Sequence, residues 1–88
     1  MTVYMVERSL LGISLDKLAA AQKAAIAEAE SMRKEGVAIR YIRSTFAPDS
    51  GRCMCLFDAK SAECVRKLND TARIPYDTVV EAYDLTPV

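Results

Sequence analysis

Hydrophobic and polar residues alternate with a period of two in four short segments of the chain. These segments are rich in β-branched and aromatic residues and are bounded by Gly, Pro, Ser or Asp, as strands are. The first reads TVYMVER, and the third reads RCMCLFD. The pattern therefore predicts four strands, at residues 2–8, 37–46, 52–58 and 78–85.

Two other segments repeat their apolar residues every three or four positions, which predicts amphipathic helices. Ser14 can accept a backbone N–H at the start of the first helix, and Gly36 provides its end. Ser61 has the same capping role for a second helix over residues 62–73, and Pro75 follows it. Helices are thus expected between the first and second strands and between the third and fourth.

The resulting order is strand, helix, strand, strand, helix, strand. The segment APDSG, residues 47–51, has the composition of a tight turn and joins the second and third strands as a hairpin. This order predicts an α+β fold of the ferredoxin-like βαββαβ type, with a four-stranded antiparallel sheet and both helices on one face. The spatial strand order would be 4-1-3-2, and residues 1–88 would form a single domain.

One face of such a sheet has no helix to cover it. A half-exposed sheet normally carries polar residues on its outer face. In this chain both faces of the first strand are apolar, with Val3 and Met5 on one side and Tyr4 and Val6 on the other. We therefore expect a homodimer of the dimeric α+β barrel type, in which two sheets pack face to face around a cavity.

Charge and composition exclude several classes of partner. Twelve basic residues balance twelve acidic ones, and 51% of the residues are hydrophobic. A chain without net charge lacks the basic surface that binds nucleic acid, so no nucleic acid partner is expected. No apolar run is long enough for a membrane span, and three cysteines do not form an even disulfide set. These features predict a cytoplasmic protein with free thiols and no membrane association.

The clearest chemical feature is the pair Cys53 and Cys55, which lie on the same face of one strand. Their sulfurs could converge on a soft metal ion or act as reactive thiols, but buried cysteine most often packs as a small hydrophobe. Cys64, in the second helix, could approach them only if the helices cover the cysteine face. The sequence leaves that face undetermined, because a one-residue change of hairpin register exchanges the faces.

Carboxylates and one arginine are further candidates. The first and last strands are expected to be neighbours, so Glu7 and Glu81 could approach on one face and either hold a cation or act as a general base. Alternation places Tyr41 and Arg43 on a common face, where they could contact a small ligand. We therefore predict a binding site formed from Glu7, Tyr41, Arg43, Cys55 and Glu81.

Several blocks of the chain together resemble the small bacterial family known as domain of unknown function 4242. The similar blocks are YMVERSLLGISLDKL, YIRSTF, CLFDAKSAECVRKL and ARIPYDTVVEAYDL. The resemblance implies a ferredoxin-like protomer, a dimer and, from some members, nickel binding. It picks out Glu7, Arg8, Tyr41, Arg43, Ser44, Cys55, Asp58, Pro75 and Glu81. The chain departs from the family pattern at Thr45 and Phe57, and it contains no histidine, a favoured nitrogen ligand of nickel.

Together these features predict a small homodimeric binding protein that holds a metal ion, nickel among the candidates, or a small ligand in a cavity at the sheet face. The alternative is a cofactor-free enzyme of the dimeric αβ-barrel type, similar to monooxygenases or isomerases. Such an enzyme needs only one or two polar groups in an apolar cavity.

Overall fold

The computed structural model describes residues 1–87 and has the predicted element order. The elements are β1 (Thr2–Ser9), α1 (Leu15–Lys34), β2 (Ile39–Ala47), β3 (Arg52–Ala59), α2 (Ala62–Ala72) and β4 (Thr78–Ala82). The strands form one antiparallel sheet in the order β2-β3-β1-β4. The predicted α+β fold and its strand order are therefore confirmed.

Both helices begin where the sequence places a capping serine. Ser14 Oγ accepts a hydrogen bond from the Lys17 amide at 3.2 Å, and Ser61 Oγ accepts one from the Cys64 amide at 3.3 Å. These bonds satisfy amide donors that have no partner within the helix. No helix within residues 1–87 is both long and apolar enough to cross a membrane.

The pairing of β1 with β3 determines which side chains the helices cover. Val6 lies opposite Cys55, and Arg8 lies opposite Cys53, so these four residues share one face. All four are buried. The two helices pack on this face, which we call the covered face, and the opposite one is the open face. The core consists of Val6, Ala25, Ala29, Met32, Ile39, Cys53, Cys55, Phe57, Ala59, Val65, Leu68 and Ile74.

Strand β2 contains a bulge that changes which of its residues face the helices. Tyr41 pairs with Phe57 and Arg43 pairs with Leu56, so Ile42 is the extra residue between them. A bulge shifts the alternation of side chains by one position. Tyr41 therefore lies on the covered face with Phe57, whereas Arg43 lies on the open face with Leu56. The prediction that Tyr41 and Arg43 share a face is wrong for this reason.

The last strand is shorter than predicted. It ends at Ala82, although the pattern extended it to residue 85. Beyond it, Asp84 Oδ2 accepts an ion-pair contact from Arg43 Nη2 at 3.1 Å. Strands β2 and β4 are at opposite edges of the sheet. The segment after β4 therefore turns over the open face to bring Asp84 within reach of Arg43.

The hairpin turn makes Gly51 a sensitive position, and Gly51→Ala tests it. Gly51 has a φ of 74°, and a Cβ there would overlap the backbone N and Cα of Leu11. We expect a loss of more than ~2 kcal/mol in the free energy of unfolding, measured by urea denaturation, because strain and steric overlap add. The matched control is Gly12→Ala, which has a φ of 83° but open space around the added carbon. It should lose about 1 kcal/mol, and equal losses would contradict the overlap.

Candidate functional site

A cavity of about 230 Å³ lies between the N-terminal half of α1 and strands β2 and β3. Three of the six α1 side chains that line it are alanines, at positions 19, 21 and 25. Alanine fills little of the space between a helix and a sheet, so room remains. The cavity is lined by Arg8, Leu10, Leu15, Leu18, Ala19, Ala21, Gln22, Ala25, Tyr41, Ser44, Thr45, Phe46, Cys53, Cys55 and Ile74.

Tyr41 is held in the cavity wall by three contacts. Its ring meets that of Phe57 edge to face, with centroids 5.5 Å apart and planes at 82°. Its hydroxyl accepts a hydrogen bond from Gln22 Nε2 at 3.0 Å and also bonds the Ser44 hydroxyl. The bulge makes the last contact possible, because it places Tyr41 and Ser44 on the same face. The cavity thus has a group of polar atoms on an otherwise mainly apolar wall.

Cys53 and Cys55 also line this cavity. The helices therefore cover the face that carries both cysteines, which the sequence leaves undetermined. The hairpin has a four-residue connection, and Cys55 pairs with Ser44. Their Sγ atoms are 3.9 Å apart, and both residues are buried. Burial, reinforced by the neighbouring Cys55, raises the pKa of the Cys53 thiol to about 11, although Arg8 acts in the opposite direction. At neutral pH the Cys53 thiol is therefore protonated.

Arg8 is a cavity residue that the predicted site did not include. It is only 4% exposed, although arginine is rarely buried without an acidic partner. Its guanidinium donates to Asn69 Oδ1 at 2.6 Å and to the Pro75 carbonyl at 3.0 Å. Both acceptors are neutral, and none of the ion pairs within residues 1–87 involves Arg8. The C-terminal end of α2, which favours a nearby cation, provides partial compensation.

A signal for Arg8 was present in the sequence. It alternates with Val6 and Tyr4 on one face of β1, and the family resemblance selects it. Strand alternation alone, however, does not show which face the helices cover. The burial of Arg8 follows only from the pairing of β1 with β3.

The five predicted site residues do not come together. Tyr41 and Cys55 line the cavity, whereas Glu7 and Arg43 are on the open face. Glu81 is exposed and lies opposite Tyr4, while Glu7 lies opposite Thr78. Glu81 therefore shares a face with Tyr4, and Tyr4 and Glu7 are separated by an odd number of positions in β1, so they point to opposite faces. The expected approach of Glu7 and Glu81 on one face is wrong for this reason.

Glu7 takes part in contacts across the open face. Its Oε1 contacts Arg52 Nη2 at 3.1 Å, and its Oε2 accepts a hydrogen bond from Thr78 Oγ1 at 2.7 Å. These contacts link β3, β1 and β4. These contacts explain the position of the Glu7 side chain on the sheet surface.

The residues that could ligate a metal are dispersed. Within residues 1–87 no three side chains of His, Cys, Asp or Glu converge in a way that could hold an ion. Cys64 is held near its own helix cap, where its sulfur accepts a hydrogen bond from the Ser61 hydroxyl at 3.3 Å. It does not line the cavity with the other two cysteines.

The raised pKa of Cys53 predicts a loss of stability at alkaline pH, which Cys53→Ser should remove. The folded pKa of about 11 exceeds the ordinary value of 9.0, so the unfolded chain ionises first as the pH rises. The free energy of unfolding of the wild type, minus that of Cys53→Ser, should fall between about pH 9 and 11 and stay constant at lower pH. Denaturation series over this range measure it. A constant difference up to pH 11 would contradict the assignment.

Comparison with known proteins places the chain in a family. Residues 4–82 match the family model described as "Nickel responsive protein SCO4226-like". The crystal structure of SCO4226 from Streptomyces coelicolor A3(2) is 25% identical in sequence and has a TM-score of 0.79, covering 96% of this chain and 99% of that one. No curated protein matches. The nickel association agrees with the one that the sequence resemblance implied. The chain belongs to the SCO4226-like family of nickel-responsive proteins.

Proposed function

We propose that this chain is a small-ligand binding protein that takes an organic anion with an apolar body into the α1 cavity, and that it acts as a homodimer. The observation that carries the proposal is Arg8, which lines the cavity and whose buried guanidinium has, within residues 1–87, neutral hydrogen-bond acceptors and no ion pair. An uncompensated buried charge costs several kcal/mol, and a carboxylate brought by a ligand would offset that cost.

The remaining wall suits the rest of such a ligand. Leu18, Ala21 and Phe46 offer apolar surface, and the hydroxyls of Tyr41 and Ser44 offer hydrogen bonds. A pocket that is mainly apolar with a few placed polar groups is the usual form of a small-molecule site. A volume of about 230 Å³ fits a compact molecule, such as an aromatic acid with one ring.

A nickel ion held by this chain alone does not fit the same residues. Histidine is absent from the sequence, and no three ligating side chains converge within residues 1–87. The two cysteines in the cavity are soft donors, but they do not complete a four-coordinate site. Within residues 1–87, the side chains of one protomer therefore do not form a nickel site by themselves.

The enzyme alternative has weaker support than binding. The cavity itself is what an enzyme of the αβ-barrel type would need, and it lies between the sheet and a helix. None of the residues 1–87 that line it has a carboxylate side chain. Among the groups present, Cys53 is a poor base at neutral pH because burial keeps its thiol protonated. Binding without turnover is the better interpretation.

A homodimer through the open face is supported by the residues on that face. The apolar centre of the open face lies on β1, β3 and β4, whose paired residues share that face. It consists of Val3, Met5, Met54, Leu56 and Val80. Val80 is 41% exposed. The segment that turns over this face adds Tyr83, 83% exposed, and Leu85, 88% exposed. An extended apolar surface of this kind commonly marks an interface, and a second copy offers the same surface.

The ligand proposal is tested with benzoate and phenylacetate, using calorimetric titration. Both acids should bind, while benzamide and phenylacetamide, which have the same shape without the charge, should not. Arg8→Gln should weaken acid binding by ~10–100-fold, the usual cost of losing a charge-assisted hydrogen bond. The matched control is Arg43→Gln on the open face, which should leave the affinity unchanged.

A second pair of variants separates cavity binding from an effect on folding. Ala21→Leu adds a large side chain in the cavity on a helix that tolerates leucine well, and it should abolish acid binding. Ala20→Leu, at an exposed position of the same helix, should have no effect. Equal binding by Ala21→Leu and Ala20→Leu, or by acids and amides, would contradict the proposal.

The dimer is tested by sedimentation velocity of the purified chain at micromolar concentration. The wild type should sediment as a dimer, and Leu56→Glu should convert it to a monomer, because a carboxylate in an apolar interface is costly to desolvate. Ile26→Glu is the matched control, since Ile26 is 43% exposed on α1, away from the open face. A monomeric wild type, or monomers from both variants, would exclude this interface.

A further inference from the structure

The Cys53 and Cys55 sulfurs are placed so that one ion can contact both. Their Sγ atoms are 3.9 Å apart on the same side of β3. A thiolate sulfur binds a first-row metal at about 2.3 Å, so two such bonds span up to ~4.6 Å. At 3.9 Å the sulfurs are ~0.7 Å closer than a linear sulfur–metal–sulfur arrangement needs, and rotation of the cysteine side chains can supply that difference without any movement of the backbone. Both residues also line the α1 cavity, which gives the ion a path from solvent.

The number of donors favours an ion of low coordination number. No third His, Cys, Asp or Glu joins the pair within the described part of the chain. Zinc requires four ligands in a structural site, and these residues supply two. Copper in its monovalent state is soft, prefers thiolates and is satisfied by two sulfurs. The number of donors therefore favours monovalent copper over an ion that requires four ligands.

The charge of the surroundings favours the same ion. Two thiolates and one monovalent cation carry a net charge of −1, whereas two thiolates and a divalent cation carry none. Arg8 lies opposite Cys53 in the β1–β3 pairing and is buried with neutral acceptors only. A complex with a charge of −1 beside it would neutralise this guanidinium, and a neutral complex would not.

We propose that Cys53 and Cys55 form a two-thiolate site for monovalent copper at the floor of the α1 cavity. Binding forms two copper–sulfur bonds and releases the two thiol protons to solvent, with no change of oxidation state. The site is distinct from the anion site proposed above, although both would use the charge of Arg8. Copper and a bound carboxylate should therefore compete.

The test is an anaerobic titration of reduced, tag-free protein with Cu(I) in competition with a chromogenic Cu(I) chelator. We expect one ion per chain. Cys53→Ser and Cys55→Ser should each weaken binding by more than the ~10–100-fold that loss of an outer-shell partner costs. Cys64→Ser is the matched control, because Cys64 lies outside the cavity, and it should bind like the wild type. Zn(II) and Ni(II) should not displace the ion.

Several outcomes would overturn the proposal. They are failure of the wild type to compete with the chelator, an equal loss in Cys64→Ser, or full binding in Cys53→Ser.

A second experiment uses the wild type alone and applies if a serine variant does not fold, as judged by circular dichroism. Native protein is alkylated with and without Cu(I). The ion should protect Cys53 and Cys55 and leave Cys64 as reactive as before, and equal protection of all three would contradict the site. The Cu(I) titration contains no carboxylate, so its outcome does not depend on the anion site.

Discussion

The antiparallel pairing of β1 with β3 is the constraint on which the rest of the structure depends. These are the two central strands, and each residue in their register has a fixed partner and a fixed face. The pairing places Val6 and Phe57 in the core beneath the helices, and by the same alternation it buries Arg8 and both strand cysteines. A slip of β1 by one residue would bring Glu7, in place of Arg8, to the covered face beside the cysteines. The core and the cavity chemistry thus arise from one register.

The cavity follows from a second constraint, the small side chains on the part of α1 that faces β2 and β3. Further along the helix, Ala29 and Met32 are buried and belong to the core. Near its start, Ala21 and Ala25 border open space. Protein interiors are normally close-packed, and missing contacts forfeit packing energy. The small side chains at these positions are thus one reason that space remains between α1 and the sheet.

The chain belongs to a nickel-responsive family, but the ions that it can bind depend on the donor groups of its own residues. The fold is shared with SCO4226 over nearly the whole chain. The donors available in the cavity are thiols and hydroxyls rather than imidazoles. Soft thiolate donors and harder nitrogen or oxygen donors select different metals.

The sequence by itself determined the fold, because strand alternation, helical spacing, capping serines and turn residues are local properties that act within a few positions. Ser14, Ser61 and Gly36 mark element boundaries that the structure reproduces closely. The order of those elements leaves few topologies open. The sequence also predicts Tyr41 and Cys55 as site residues, and both line the α1 cavity.

Only the tertiary structure decided which residues meet. The extra residue at Ile42 separates Tyr41 from Arg43, and the β1–β4 register separates Glu7 from Glu81. The burial of Arg8 is evident only once the covered face is known. Faces and registers depend on pairing between strands that are distant along the chain, and a shift of one position inverts them. The residue types could therefore be read from the sequence, whereas their assembly into a site depended on long-range hydrogen bonding and packing.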